Sequence, residues 1–503
     1  MNRTWKDTKE HLCELNQKRY IHFDFPIRNN EKERIIKRIT QEIYNHRYLP
    51  FIRVDIIYPK YSKGNKQVKN QVKNKVRKIT LPAHHDALIY QYFGYELSKR
   101  YEMYVEDTSL DRISVAYRLD KHISNITVAK EAIDFVTSQE KCWIIKGDFK
   151  HFFDNLDHKV LKSQVQLLLG NAYDRSYIKM LKSIMNYRFV TKKTLEKQLT
   201  HAKVDFPYKK MGNKAYTNNL RQLGNLLKQK VINLSPKNHR GIPQGTAVSA
   251  VLANIYMIQF DELLAEMMNK YNGIYRRYSD DFIIIIPQAD ISYEDIKNLK
   301  NEIITKSDEI NKLEIEHAKT QLLSYSKEAK SIYKYDGLGW KKSSLSYLGF
   351  SFDGVSVSLR SNSIYKFIYR SKRTINKYIT LKDARERYLR KEGPTSYVKK
   401  YNDQGIKIYR LANSTELYRK ERIYALAGTM SERTFGTYHR AVVRQCLALF
   451  NIERRSSMLA YAKRAQKVFQ YKTRGKYRVV IQRQVEKQIR RNQRKVGGIN
   501  NEW

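Results

Sequence analysis

The chain has 503 residues, 41% of them hydrophobic, enough to bury a sizeable core in two or three domains. Lys and Arg number 96 against 50 Asp and Glu, a formal net charge of +46 that suits a polyanionic partner, nucleic acid before an anionic membrane surface. No apolar stretch approaches the roughly 20 residues a membrane-spanning helix needs, the opening MNRTWKDTKE is too polar for a signal peptide, and a soluble, cytoplasmic protein without membrane contact is expected.

Cys13, Cys142 and Cys446 are odd in number and far apart, which argues against a disulfide framework or a zinc ribbon. The 12 histidines form no ligand spacing, and His84-His85 is their only adjacent pair. From Tyr61 to Lys78 the low-complexity stretch YSKGNKQVKNQVKNKVRK, with Val68, Val72 and Val76 four apart, reads as a phosphate-seeking or simply solvated loop or hairpin.

Farther on, CWIIKGDFKHFFDNLDHKVL begins as an apolar strand, Cys142 to Ile145, leading to Asp148, and turns helix-like around Asp157. After a polar stretch near 199–239 comes NHRGIPQGTAVSAVLANIYMIQF. Gly241, Pro243 and Gly245 make a tight turn there that brings backbone N–H groups and Gln244 close to a ligand, and a buried helix follows from Ala247. Next, IYRRYSDDFIIII reads as two strands with Asp280 and Asp281 at the turn between them. Adjacent carboxylates backed by an apolar strand repel unless a cation neutralises them, and hard cations such as Mg²⁺ prefer oxygen ligands. If Asp148 stands at the end of a neighbouring strand, the three acids form one two-metal site suited to phosphoryl transfer. From Ser361 onward 35 Lys and Arg face 10 Asp and Glu, so +25 of the net charge sits in the last 143 residues, and segments such as SIYKFIYRSKRTINKYI and MLAYAKRAQKVF read as basic amphipathic helices with interleaved aromatics for nucleic-acid contact.

These motifs, in this order, resemble the reverse transcriptases, specifically the bacterial group that includes group II intron enzymes, retron enzymes and the defense-associated "unknown group". GDFKHFFDNLDH resembles the first acidic motif, RGIPQGTAVSAVLANIYM the PQG motif, RRYSDDF the YxDD hairpin, LEIEHAKTQLL the lysine motif and YLGF the primer-grip turn; KVRKITLPAHHDALIYQYF and VAYR resemble the finger motifs. The resemblance implies an α+β fold with right-hand polymerase palm and fingers, an antiparallel sheet backed by helices, followed by a largely α-helical basic thumb and C-terminal domain. The expected division is 1–74 for an N-terminal extension and the start of the fingers, 75–355 for fingers and palm with an insertion near 199–239, and 356–503 for the basic helical part.

The resemblance also implies roles. Asp148, Asp280 and Asp281 are expected to be catalytic, with two Mg²⁺ ions (or Mn²⁺) on Asp148, Asp280 and the Phe149 carbonyl and Asp281 in support. Arg77, Lys78, Arg118, Phe153, Gln244 and Lys319 are expected at the dNTP, and Tyr278, Ser279, Tyr347, Leu348 and Gly349 at primer and template. Phe153 matches the bulky residue that blocks a ribose 2′-hydroxyl, which favours dNTPs. The expected function is RNA-directed DNA synthesis onto a 3′-hydroxyl or a protein hydroxyl, in antiviral defense, with a structured non-coding RNA as template, a DNA product and, as in some of that group, a homo-oligomer. A group II intron-type enzyme that helps splice its own RNA is the alternative, and a catalytically silent RNA-binding palm is a reading of another class. Tyr outnumbers Phe 38 to 18, which fits stacking on RNA or filling interfaces better than a tyrosine primer.

Overall fold

The computed structural model describes residues 10–14, 19–61, 72–118, 121, 123–210, 212–288, 291–317, 319–389, 457–473 and 475–496. Most of the basic stretch after Tyr61, at 62–71, and the tail segment 390–456 lie outside the described residues.

Helix Asn29–Glu42 (α1) precedes a long antiparallel ribbon of Phe51–Tyr61 (β1) and Val72–Leu81 (β2). Its base is buried at Phe51 and Ile52, whereas Ile56, Ile57 and Val76 are exposed. The ribbon feeds His84–Glu106 (α2), whose first turn is closed from a distance: the Asp24 carboxylate accepts from the backbone N–H groups of His84 at 2.9 Å and His85 at 3.0 Å. A carboxylate is favoured at a helix N-terminus by the helix dipole. Both imidazole Nδ1 atoms also face Asp24, at 2.9 and 3.1 Å, so the adjacent histidines fasten the N-terminal segment.

Asn125–Ser138 (α3) starts with a reciprocal Ser124–Thr127 cap and leads to strand Lys141–Asp148 (β3). The short helix Phe152–Asn155 (α4), His158–Leu169 (α5) and Arg175–Met185 (α6) follow, α5 capped by Asp157 as the helix-like pattern there anticipates. Phe189–Thr191 (β4) then pairs in parallel with β1. The polar stretch near 199–239 is folded into a small annex: Lys192–His201 (α7), a hairpin of Tyr208–Lys210 (β5) and Asn213–Ala215 (β6), and Leu220–Lys228 (α8). Its few apolar residues, Leu195, Leu199, Tyr216, Leu223 and Leu226, close a core with Phe23, Ile52 and Val190. Hydrogen bonds from the Tyr216 backbone N–H to His22 O (2.7 Å) and from the Thr217 hydroxyl to Phe23 O (2.5 Å) tie the annex to the N-terminal segment.

Helices Ser249–Tyr256 (α9) and Ile258–Lys270 (α10) lead into strands Ile274–Tyr278 (β7) and Asp281–Pro287 (β8). Tyr293–Asn311 (α11), Gln321–Ser326 (β9), Ser331–Tyr335 (β10) and Trp340–Ser343 (β11) complete a six-stranded antiparallel sheet, order β11-β10-β9-β3-β8-β7. Trp143, Ile145, Phe282, Ile284 and Ile286 pack on one side in a core shared with α2, α5, α9, α10 and α11, and Cys142, Ile144, Ile283 and Ile285 pack on the other. Burial on both faces explains why Phe282 to Ile286 is an unbroken apolar run, without the alternation of a half-exposed strand.

The second face is covered by α3 and by Leu345–Tyr347 (β12), Phe350–Phe352 (β13) and Ser356–Leu359 (β14), followed by Ser361–Leu389 (α12). Met458–Gln470 (α13), Arg478–Val479 (β15) and Ile481–Val496 (α14) return to it, β15 pairing in parallel with β14. This small sheet straddles residue 355, so the described part of the basic tail packs into the second core through Leu459, Phe469, Ile481 and Val485. No helix among the described residues is long and apolar enough to cross a membrane.

Candidate active site

Strand register brings the acids together. Asp148, the last residue of β3, lies directly opposite Asp281, the first of β8, and Asp281 pairs in turn with Tyr278 at the end of β7. The turn itself is Ser279-Asp280, with Ser279 at φ 61°, so Asp281 opens the strand instead of sitting in the turn. The Phe149 N–H donates to the Asp280 carbonyl at 3.2 Å, locking the β3 end to the hairpin tip.

Burial, followed by the neighbouring Asp148, pushes the Asp280 carboxyl up. Asp281 is pushed up to about 6 by burial and then by the charge of Asp280, against the pull of Lys146. Lys319 Nζ stands 2.5 Å from Asp148 Oδ2 and 3.4 Å from Glu316, closing the acidic end with one ammonium. Among the described residues, no three His, Cys, Asp or Glu side chains already form a metal cage. The donors are nevertheless hard oxygens, half-buried and mutually repelling, which is the chemistry that a divalent cation relieves.

Beneath the turn lies a polar core that the sequence reading missed. Arg277 and Asp261 are both 0% exposed and form a two-pronged pair, Nε to Oδ1 at 2.9 Å and Nη2 to Oδ2 at 2.6 Å. The same guanidinium donates to the Ser279 carbonyl at 3.2 Å and to Ser114 Oγ at 3.0 Å, and Tyr275 OH donates to Asp261 at 2.8 Å. Nothing in the strand pattern marks the two arginines before the Tyr as buried, yet Arg276 is 7% exposed and Arg277 points fully inward. Lys146 was legible in principle, because it lies two residues before Asp148 and therefore on the same strand face.

The GIPQG loop bridges this site to the ribbon. Gly241 N–H donates to Leu156 O at 2.7 Å and Ile242 N–H to Phe153 O at 2.8 Å, while the Gln244 carbonyl accepts from Thr80 N–H on β2 at 2.8 Å. Gly241 has φ +75°, and a Cβ there would lie 2.4 Å from Asp154 O; at Gly245, φ +125°, it would lie 2.8 Å from Thr80 O. Only glycine lets the loop approach both backbones so closely. Phe153 and Gln244 are half-buried along this seam, and Arg77 and Lys78 are exposed on β2.

Two expected contacts are corrected. The Arg118 side chain is 1% exposed and donates to Glu102 at 2.7 Å, to Asp111 at 2.8 Å and to the carbonyls of Asp111 and Ser114, so its fork fastens a loop and does not present itself to a nucleotide. Tyr347 is 2% exposed within the second core, and burial pushes its phenol well up, so its side chain packs inside the β12–β13 hairpin and does not face a primer. The turn that follows it, Leu348-Gly349, is half-buried and is held by Asn125 Nδ2, which donates to Leu348 O at 3.0 Å. Tyr278 is half-buried, and Ser279 Oγ accepts from Tyr117 OH at 3.2 Å.

A central antiparallel sheet with an acidic strand end, the Asp280–Asp281 hairpin beside it and a glycine loop joining the sheet to the ribbon is the arrangement of a palm and fingers fold. Residues 197–352 match the family model described as reverse transcriptase (RNA-dependent DNA polymerase), a span that includes the GIPQG loop, Asp280, Asp281 and Lys319 and begins after Asp148. The group II intron-encoded protein LtrA of Lactococcus lactis subsp. cremoris is 25% identical over 303 residues, 60% of this chain. That alignment spans 38% of the relative's own length. Solved structures that are similar include apo telomerase from Candida tropicalis truncated from its C-terminal domain (TM-score 0.35, 13% identity, 65% of this chain and 60% of that one). Another is telomerase from Candida albicans in complex with a TWJ fragment of telomeric RNA (TM-score 0.34, 14% identity, 87% and 70%). Residues 197–352 are thus similar to the reverse transcriptase family, and 60% of the chain is similar to part of a group II intron-encoded protein.

Proposed function

We propose that this protein is an RNA-directed DNA polymerase that adds dNTPs to a 3′-hydroxyl, with Asp148, Asp280 and Asp281 at its centre. The observation that carries the reading is the register of β3 on β8, which sets Asp148 opposite Asp281 beside the Asp280 turn. Mg²⁺, or Mn²⁺ in its place, would be held by Asp148, Asp280 and the Phe149 carbonyl with Asp281 in support, and would acidify the primer hydroxyl and neutralise the triphosphate. Lys319 pairs with Asp148, and its proton would be at hand for a departing pyrophosphate. Arg77 and Lys78, exposed on successive positions of β2 and so on opposite faces of the ribbon, are the cations that would meet the triphosphate, and Gln244 and Phe153 lie half-buried along the seam where the incoming sugar would rest. Phe153 excludes a 2′-hydroxyl by bulk, so Phe153→Ala should gain ribonucleotide incorporation in a primer-extension assay; an unchanged dNTP preference removes that role.

The template in this reading is a structured non-coding RNA and the setting is antiphage defense, as the motif resemblance suggests. Asp280→Asn with Asp281→Asn should abolish extension with Mg²⁺ and dNTPs while leaving RNA binding intact, and in cells should abolish both cDNA and protection. Extension that survives overturns the assignment of the centre; protection that survives without cDNA overturns the defense mechanism. The similarity to LtrA favours a second reading, an intron-type enzyme acting on the RNA that encodes it. An open reading frame lying inside a self-splicing intron whose excision needs this protein would select it.

A further inference from the structure

The far edge of the palm sheet carries a feature that polymerisation does not use. In the β10–β11 hairpin Trp340 lies opposite Tyr335 and Lys342 opposite Tyr333, and across β9 Tyr333 continues through Ser324 to Trp143. Directly paired residues share a face, so Tyr333, Tyr335, Trp340 and Lys342 all stand on the Trp143 side. Tyr293 from the first turn of α11 joins them, with ring centroids 5.1 Å from Tyr335, 5.3 Å from Trp340 and 6.1 Å from Trp143. Trp143 is 4% exposed, donates its indole N–H to Ile291 O at 3.0 Å and lies 5.7 Å from Trp340, so it anchors the cluster. Trp340 stays 42% exposed and Tyr335 37%.

On the ring side Lys342 is exposed on the hairpin and Lys297, one helical turn beyond Tyr293, pairs with Glu294; Lys334 and Lys341, paired with each other in the ladder, stand on the opposite face, Lys341 held by Asp336. Edge lysines also deter strand pairing. That role alone leaves unexplained why two rings are held packed together and half in water beside the exposed Lys342. Fixed aromatic faces flanked by cations are the recognition chemistry of unpaired nucleic acid, in which bases stack and phosphates find the lysines.

We propose that this aromatic edge is a binding site for a single-stranded nucleic-acid segment, separate from the catalytic centre: Trp143 lies five residues before Asp148, roughly 16 Å along the strand. The test uses the full chain without dNTPs and a fluorescein-labelled oligouridine carrying 4-thiouridine. Photo-cross-links should map to 333–342, and Trp340→Ala should weaken binding about fivefold or more, the loss of one stacked base. Trp340→Phe should keep affinity within about twofold on the same stacking principle. Lys342→Ala should lower the salt dependence of binding by about one phosphate contact. Extension of a short primed template should be unchanged in all three. Cross-links confined to other segments, or Trp340→Ala binding within about twofold of wild type, overturn the proposal. So does a Trp340→Ala chain that binds RNA normally but loses self-association, which would make the edge a protein contact.

Discussion

Among the described residues Arg277 is the largest side chain fully withdrawn from solvent, and its worth to the site differs from its worth to the fold. Removing one partner of a buried ion pair strands the other charge, so Arg277→Met should cost about 3–5 kcal/mol in chemical denaturation. Adding Asp261→Asn removes the stranded charge and keeps a partner for Tyr275 OH, so most of that stability should return. The Ser279 carbonyl still lacks its donor in the double variant, and kcat for single-nucleotide incorporation should stay depressed with KM for dNTP little changed. A double variant with wild-type kcat would reduce the pair to a stabilising role. At this scale the sequence was most informative about charge in an apolar setting: Asp148, Asp280 and Asp281 stood out because acids at the ends of Ile-rich strands need a reason. Arg118 and Tyr347 misled for the opposite cause, because motif position carries no information on whether a side chain turns toward a ligand or into the core.

Two elements meet through the GIPQG loop, and its geometry makes a prediction about both. Gly241→Ala would place a methyl carbon against the backbone of α4 in a left-handed conformation that alone costs about 1–3 kcal/mol. The loop should move off α4, weakening its hold on Phe153 and, through Gln244, on Thr80 of β2. Denaturation should show the stability loss, and KM for dNTP should rise several-fold in steady-state extension; an unchanged KM would detach the loop from nucleotide alignment. The β7–β8 hairpin, the loop and the helix after Asp157 were all legible as elements, since turn residues and apolar runs announce them locally. The annex between α7 and α8 was legible only as a polar interval, because its five or so core residues are spread over two helices and a hairpin and are completed by Phe23, Ile52 and Val190 from elsewhere.

Across the whole molecule, the N-terminal segment is clamped to the fingers through histidines, and that clamp responds to pH. His22 is fully buried, and burial lowers its pKa from 6.5 to about 4. The unfolded chain therefore takes up the proton first, and the stability His22 contributes is full above about pH 6.5 and is lost as pH falls toward 4. His85 works in the opposite sense: its pKa is raised by the hydrogen bond to Asp24, so its contribution is present at low pH and fades as pH rises through its folded value. Thermal melts of His22→Asn should be flatter than wild type between pH 6.5 and 4, by up to about 3 kcal/mol at the acid end. Equal pH slopes would mean that the N-terminal segment releases before His22 titrates. Sequence by itself determined the polyanion-seeking charge and the order of the motifs, because both are read from composition and position alone, and the acidic and glycine-bearing turns, because each depends on neighbours within a dozen residues. Tertiary structure alone decided that Asp148 faces Asp281, that Arg277 lies beneath the turn, that the C-terminal helices return to cover the palm, and that Trp340 stands on a half-exposed aromatic edge. Those outcomes rest on strand register and on which face each residue presents, and shifting either by one residue reverses them without any change in local pattern.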